Sequence, residues 1–118
     1  MKTVLVVDDS RTILAMISFT LEKLGYRVHT APTAEDALTL AVKNHVDIVI
    51  TDINMPGIGG VSLIERLRKS KRFAHTPIIV NSTLLNDNKL DELINAWINK
   101  PLNPLKLASL IEQLTVEG

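Results

Sequence analysis

Short β-branched runs alternate with helical periods along the whole chain, and this alternation is the feature that most restricts the fold. The runs are Thr3 to Val7, Arg27 to Ala31, Val46 to Thr51, Ile78 to Val80 and Ala96 to Ile98. Between them, apolar residues recur every three or four positions, which is the period of a helix packed on one face. Two of the runs, Val4 to Val7 and Val46 to Ile50, are nearly continuous in apolar residues rather than alternating. Strands buried on both faces of a parallel sheet have this pattern. Five βα units therefore predict a doubly wound α/β domain with a five-stranded parallel sheet.

The length and the charge balance narrow the class of protein. The chain has 118 residues, which predicts one domain covering 1–118. Lys plus Arg and Asp plus Glu number 13 each, so no net charge draws the chain towards nucleic acid or an anionic membrane. The absence of cysteine excludes disulfides and thiolate catalysis. The apolar run after Met1 is too short for a signal peptide or a membrane span. We expect a cytoplasmic protein without direct nucleic-acid contact or membrane insertion.

Polar side chains follow several predicted strands directly. Ligands of an open parallel sheet bind at the carboxyl ends of its strands, where the sequence places Asp8, Asp9, Asp52, Ser82, Thr83 and Lys100. A single Asp after a strand is most often a turn former. Carboxylates about 6 Å apart, however, repel each other by roughly 3 kcal/mol at an effective dielectric of about 20. A cluster of three therefore needs either a cation that relieves the repulsion or one acid that stays protonated. An all-oxygen ligand set favours Mg²⁺ beside a phosphate.

One known family carries such residues in this order. The chain resembles the receiver domain of two-component response regulators, including chemotaxis receivers, in Asp8-Asp9, Asp52, Met55-Pro56, Gly60, Ser82 and Lys100-Pro101. The resemblance extends from the first strand to the last helix. It implies a flavodoxin-like sheet of strand order 2-1-3-4-5 and a cis peptide bond between Lys100 and Pro101.

The resemblance also implies a phosphorylation site. Asp52 would accept a phosphoryl group from the phosphohistidine of a histidine kinase or phosphotransfer protein. Mg²⁺ would be bound by Asp9, Asp52 and the backbone carbonyl of Asn54, with Asp8 acting mainly through bound water. Lys100 would pair with a phosphoryl oxygen. Such a domain is not an enzyme, since it catalyses only its own phosphorylation and dephosphorylation.

Two further positions would carry the signal away from the phosphoryl group. Ser82 would hydrogen-bond a phosphoryl oxygen, and the adjacent Thr83 is the alternative hydroxyl. Trp97, three residues before Lys100, stands where the family has a switching Tyr or Phe. Phosphorylation would then alter the face around helix 4, strand 5 and helix 5 and control a downstream protein target. A weak dimer is compatible with this interpretation.

Three other functions share part of the pattern. A haloacid-dehalogenase-like phosphatase also has a nucleophilic Asp after a strand, but it needs a second Asp two positions later, where this chain has Asn54. A flavin-binding electron carrier needs a neutral phosphate loop after the first strand, where this chain has Asp8-Asp9-Ser10. A pseudo-receiver, which acts as a constitutive protein-interaction module, stays open because the fourth βα unit is unusual.

The fourth unit is short, and the segment before it is basic. Only 17 residues, Thr83 to Asn99, separate Ser82 from Lys100. Because a parallel crossover needs a dozen or more residues, we predict a fourth helix of about two turns, from about Asn86 to Asn95. The segment from Arg66 to Arg72 carries five basic residues in seven, which is typical of a helix end where cations complement the dipole.

Overall fold

The computed structural model describes residues 1–116, which form five strands and four helices, with a helix after every strand except the fourth. The strands are β1 Thr3–Val7, β2 Arg27–Ala31, β3 Ile48–Thr51, β4 Ile78–Ser82 and β5 Ala96–Asn99. The helices are α1 Arg11–Lys23, α2 Ala34–Lys43, α3 Gly59–Lys69 and α4 Pro104–Leu114. All strand pairs are parallel, in the order β2-β1-β3-β4-β5. The predicted fold class and strand order are confirmed.

Side chains just before three helices determine where those helices begin. Ser10, Thr33 and Asn103 each accept a hydrogen bond from a backbone N–H in the first turn of α1, α2 and α4. Pro104 follows Asn103 at the first helical position, where its missing N–H has no intrahelical partner to lose. These starts place each helix directly after a strand end, so the loops at this edge of the sheet are short.

Two apolar layers cover the two faces of the sheet. One lies under α2 and α3 and includes Leu5, Val7, Val49, Ile78 and Val80 from the strands. The other lies under α1 and α4 and includes Val4, Val6, Ile48, Ile50, Ile79 and Ile98. Because side chains alternate along a strand, these residues show which positions of β1, β3 and β4 face each layer. This assignment also fixes which polar residues share a face at the strand ends.

The link between β4 and β5 differs from the prediction. Residues 83–95 contain no helix, so the predicted fourth helix, from about Asn86 to Asn95, is wrong. Turns form instead. The carbonyl of Asn88 accepts a hydrogen bond from the amide of Asp91 at 3.4 Å, and the carbonyl of Leu90 accepts hydrogen bonds from the amides of Leu93 at 2.8 Å and Ile94 at 3.1 Å. The helix predicted as the fifth is α4.

Local hydrogen bonds explain why this segment is not helical. The side chains of Asn86 and Asp87 accept hydrogen bonds from the backbone N–H groups of Asn88 and Lys89, two residues further on. Such bonds compete with helical ones. Asn88 also has φ of 67°, the left-handed region, which a right-handed helix cannot include. The sequence therefore favours consecutive turns over a two-turn helix.

A side chain from another element holds these turns in place. Arg68, in the last turn of α3, donates from Nε to the carbonyl of Leu93 at 2.7 Å and from Nη1 to the carbonyls of Phe73 and Thr76 at 2.8 and 2.7 Å. Its Nη2 donates to Oδ1 of Asn95 at 3.3 Å. Burial lowers the pKa of Arg68 from its usual value. One member of the basic segment thus bonds the chain on both sides of β4.

Within residues 1–116, the longest helix is α1, with 13 residues. None of the described helices has the length and apolar content to cross a membrane.

Candidate functional site

Asp8 and Asp52 lie side by side because β1 and β3 pair in parallel. The register pairs Val7 with Thr51, and the amide of Asp52 donates to the carbonyl of Val7 at 2.9 Å. Asp8 and Asp52 are buried, with 2% and 6% of their surface exposed, whereas Asp9 is exposed. One carboxylate oxygen of each lies within 4.8 Å of the others. The three predicted acids therefore form one cluster.

Backbone amides orient the two buried carboxylates. Oδ1 of Asp52 accepts from the amides of Ile53 at 2.7 Å and Asn54 at 3.4 Å. Oδ1 of Asp8 accepts from the amide of Ser10 at 2.9 Å. Since each Oδ1 is held in this way, each Oδ2 is left to face the cluster.

Lys100 supplies the counter-charge. Its Nζ lies 2.8 Å from Oδ2 of Asp8 and 3.0 Å from Oδ2 of Asp52. Burial lowers the pKa of Lys100, but the hydrogen bonds and charges of Asp8 and Asp52 outweigh burial and raise it above its usual 10.5. The Lys100-Pro101 peptide bond is cis, as the resemblance implies. The ammonium group is thus charged and held between two carboxylates.

The donor set fits a hard divalent cation. Three carboxylates carry more negative charge than one ammonium group neutralises, and their oxygens are close enough to share one ion. Asp9 is exposed on the open side of the cluster, where an ion and its water ligands have room. Asn54, the predicted carbonyl ligand, is also exposed, two residues after Asp52.

Ser82 and Thr83 have different surroundings. Ser82 is the last residue of β4 and is fully buried, and its Oγ accepts from the amide of Leu84 at 3.1 Å. The carbonyl of Ser82 accepts from the amide of Lys100 at 2.9 Å, which ties the ends of β4 and β5 together. Thr83 is exposed. The hydroxyl within the sheet is therefore that of Ser82.

The comparisons with known proteins assign the family. The sequence profile described as "Response regulator receiver domain" matches residues 4–112. The chain belongs to this family.

Relatives of the receiver include both short and longer proteins. It is 34% identical over 120 residues to a "Chemotaxis protein CheY homolog" of Campylobacter jejuni, covering 97% of this chain and 92% of that protein. It is also 34% identical over 114 residues to the "Transcriptional regulatory protein YvrH" of Bacillus subtilis, covering 92% of this chain. The receiver spans about half the length of the curated transcriptional regulators it matches.

Solved structures of chemotaxis and response-regulator proteins are also similar to this chain. A structure of the Vibrio cholerae chemotaxis protein CheY4 has a TM-score of 0.91 and 34% identity, covering 97% of this chain and 98% of that one. The Thermotoga maritima response regulator TrrA in complex with Mg(2+)-BeF has a TM-score of 0.88 and 30% identity, covering 97% and 99%.

Family membership decides among the functions considered above. Receivers are signalling modules, so the phosphatase and the flavin carrier are no longer needed to explain the chain. The pocket formed by Asp8, Asp9 and Asp52 fits a phosphoacceptor site. No finding on residues 1–116 favours the pseudo-receiver.

Gly60 shows why the motif of the receiver needs a glycine after Asp52. A Cβ atom at Gly60 would lie 2.0 Å from the carbonyl oxygen of Asp52 and 2.8 Å from Cα of Ile53. The amide of Gly60 donates to the carbonyl of Ile53 at 3.1 Å. The start of α3 is therefore packed against the backbone of Asp52 and Ile53, and only glycine allows this approach.

Trp97 lies on β5, outside the acidic pocket. Its indole Nε1 donates to the carbonyl of Leu84 at 3.1 Å, and Nδ2 of Asn99 donates to the same carbonyl at 2.7 Å. Leu84 is therefore bonded to Ser82 through its amide and to β5 through its carbonyl. Neither Asn99 nor this three-way contact is evident from the motifs.

Asn81 is the other residue that the motifs do not identify. It is 2% exposed, and its Oδ1 is the one buried side-chain oxygen or nitrogen without a hydrogen-bond partner in residues 1–116. The sequence signal that could have identified Asn81 is its position directly after the apolar residues of β4. A buried polar side chain there destabilises the fold unless it has a hydrogen-bond partner.

Proposed function

We propose that this receiver accepts a phosphoryl group on Asp52 from the phosphohistidine of a histidine kinase or phosphotransfer protein, with Mg²⁺ as its cofactor. The observation that carries this proposal is the cluster itself, in which three carboxylates lie within 4.8 Å and Lys100 contacts two of them. Three carboxylates this close repel one another, and a cation that also binds a phosphoryl group would relieve this repulsion.

The residues divide the reaction between them. One carboxylate oxygen of Asp52 attacks phosphorus, a P–O bond forms, and the P–N bond to the donor imidazole breaks, which leaves an acyl phosphate on Asp52. Asp9, Asp52 and the carbonyl of Asn54 would hold Mg²⁺, with Asp8 acting through water. The bound ion would neutralise charge on the phosphoryl oxygens. Lys100 and the hydroxyl of Ser82 would each bind one phosphoryl oxygen.

The proposal is tested by labelling the protein with a small phosphodonor such as acetyl phosphate in the presence of Mg²⁺. Intact mass should increase by one phosphoryl group, and Asp52→Asn should abolish the increase because an amide is a far poorer nucleophile. Asp36→Asn, an exposed carboxylate on α2, is the matched control and should label like the wild type. Labelling of Asp52→Asn at the wild-type rate would refute the assignment.

The output of the receiver follows from the contacts of Leu84. Ser82, Leu84 and Trp97 form a chain of hydrogen bonds from the strand end towards the outer surface of β5. If Ser82 turns towards a phosphoryl oxygen, its bond to the amide of Leu84 is strained and the indole contact shifts. The altered face, formed by residues 83–95, β5 and α4, would control a downstream protein target. The proposed histidine-kinase donor also places the domain in the cytoplasm.

Trp97 provides the readout, since it is the one tryptophan of the chain. Its emission should change when Mg²⁺ and beryllofluoride are added together and stay constant when either is added alone. Unchanged emission in a sample whose Asp52 demonstrably binds the mimic would show that the signal leaves by another path.

A further inference from the structure

Asn81 occupies the same face of the sheet as the acidic pocket. Ile79, two residues earlier on β4, packs in the layer under α1 and α4, as does Ile50, two residues before Asp52. The β3–β4 register pairs Thr51 with Val80, so the next residues, Asp52 and Asn81, lie side by side. By position, Asn81 is therefore the neighbour of the phosphoacceptor on the β4 side.

A cleft joins Asn81 to Lys100. It has a volume of about 370 Å³ and is lined by both residues and by Thr83, with apolar walls formed by Ile13, Met16, Pro101 and Leu102. In such apolar surroundings, hydrogen bonds are stronger than in water, and an unpaired polar group is correspondingly unfavourable. Asn81 and Lys100, the two lining residues of this cleft that are not exposed and carry polar side chains, are therefore potential partners for each other.

Lys100 has a hydrogen-bond donor to spare, and Asn81 has an acceptor to spare. An ammonium group has three N–H donors, and Asp8 and Asp52 account for two of those of Lys100. The third donor has no acceptor among these contacts, while Oδ1 of Asn81 is an acceptor without a donor. An unmade bond of this kind is destabilising in the folded protein.

We infer that Asn81 is a positioning residue for Lys100, whose ammonium group it binds once Asp52 is phosphorylated. This inference rests on the proposed function. Phosphorylation uses an oxygen of Asp52 in the P–O bond, so Lys100 must rearrange its contacts. Asp8, a phosphoryl oxygen and Oδ1 of Asn81 then provide one acceptor for each of its three N–H groups. The acceptor left unpaired in the free receiver becomes paired in the phosphorylated one.

The test uses two variants of the same side-chain shape. Asn81→Leu removes the acceptor, and Asn81→Asp keeps an acceptor but removes the amide N–H groups. Thr83→Val, which removes the other uncharged polar group of the cleft, is the matched control. Each full-length variant is studied by urea unfolding without metal, and by NMR of the Lys100 ammonium protons with Mg²⁺ and beryllofluoride.

Asn81→Leu should raise the urea midpoint, because it removes a buried unpaired oxygen, and it should accelerate exchange of the Lys100 ammonium protons with water about tenfold. Asn81→Asp and Thr83→Val should keep the slow wild-type exchange. If Asn81 had only a structural role, Asn81→Leu would not both raise the urea midpoint and accelerate exchange of the Lys100 ammonium protons.

Two results would overturn the inference and separate it from the proposed function. If wild type labels on Asp52 but Asn81→Leu leaves ammonium exchange unchanged or lowers the urea midpoint, the inference is wrong and the proposed function stands. If wild type neither labels nor binds beryllofluoride, both are wrong.

Discussion

The first and the last crossovers of the sheet join parallel strands by different means. The β1–β2 crossover contains α1, which is capped by Ser10 and buries Leu14, Ile17 and Leu21 on one face. The β4–β5 crossover, residues 83–95, has turns and no helix, and a side chain from α3, Arg68, bonds to it. The first is specified by residues within it, and the last depends largely on residues outside it.

This difference has a functional consequence. An element with its own apolar face and cap responds little to changes elsewhere, whereas turns fixed by separate hydrogen bonds shift when one of those bonds changes. In the last crossover, the bonds at its start come from Ser82, Trp97 and Asn99, and the bonds at its end come from Arg68. The start faces the acidic pocket, and the end lies away from it. The start is therefore the part that phosphorylation can move.

The largest expected effect is that of Arg68→Ala. The substitution removes the donor for the carbonyls of Leu93, Phe73 and Thr76, and we expect a loss of about 3 kcal/mol of unfolding free energy. Urea unfolding measures this loss, and amide exchange should accelerate most in residues 88–95. Arg66→Ala, an exposed arginine of the same helix, should change stability by less than about 0.5 kcal/mol. Equal effects of the two substitutions would contradict the external support of the last crossover.

A smaller loss is expected in the first crossover. Ser10→Ala removes the side-chain acceptor for the amide of Ile13 and should cost about 1 kcal/mol. Because α1 keeps its buried apolar face, exchange should rise in its first turn and stay unchanged further along the helix. If exchange rose along the whole of α1, the helix would depend on its Ser10 cap more than on its buried apolar face.

The same difference decides what could be predicted from the sequence. The fold class and the positions of Asp8, Asp52 and Lys100 at strand ends follow from the alternation of apolar periods, which is local, whereas the strand order was implied by the family resemblance. The fourth helix was predicted from the 17 residues that separate Ser82 from Lys100. Bonds of Asn86 and Asp87 to the backbone, together with the left-handed Asn88, override that pattern.

The contacts between distant residues could not be derived from the sequence in this way. Arg68 belongs to a basic run whose members look equivalent, and only packing shows which of them turns inward. Asn81 is likewise visible as a polar residue after Ile78 to Val80, but whether it has a partner depends on the β3–β4 register and on the cleft beside it.

The smallest effect concerns a link between Tyr26, the residue before β2, and α4. Burial, a hydrogen bond to Glu112 and the charge of Glu112 raise the pKa of Tyr26 to about 12. An unfolded chain ionises tyrosine near its ordinary value of 10.0, so between that pH and about 12 the unfolded state binds fewer protons than the folded state. Stability contributed by Tyr26 is therefore complete below pH 10 and is lost as the pH rises towards 12.

Tyr26→Phe tests this link. The variant should lose less stability than the wild type between pH 10 and 12. The difference should be small, since Glu112 is exposed and water screens its charge. The difference between the urea midpoints of the two proteins, measured at each pH, cancels the titration of lysines common to both. The tyrosine hydrogen bond also lowers the pKa of Glu112, as does the charge of Lys2, so the same difference should shrink in acid as Glu112 protonates. Parallel curves for the two proteins at high pH would show that the hydrogen bond between Tyr26 and Glu112 of α4 does not stabilise the fold. This surface contact would then differ from the internal bonds of Arg68, whose loss is expected to have the largest effect.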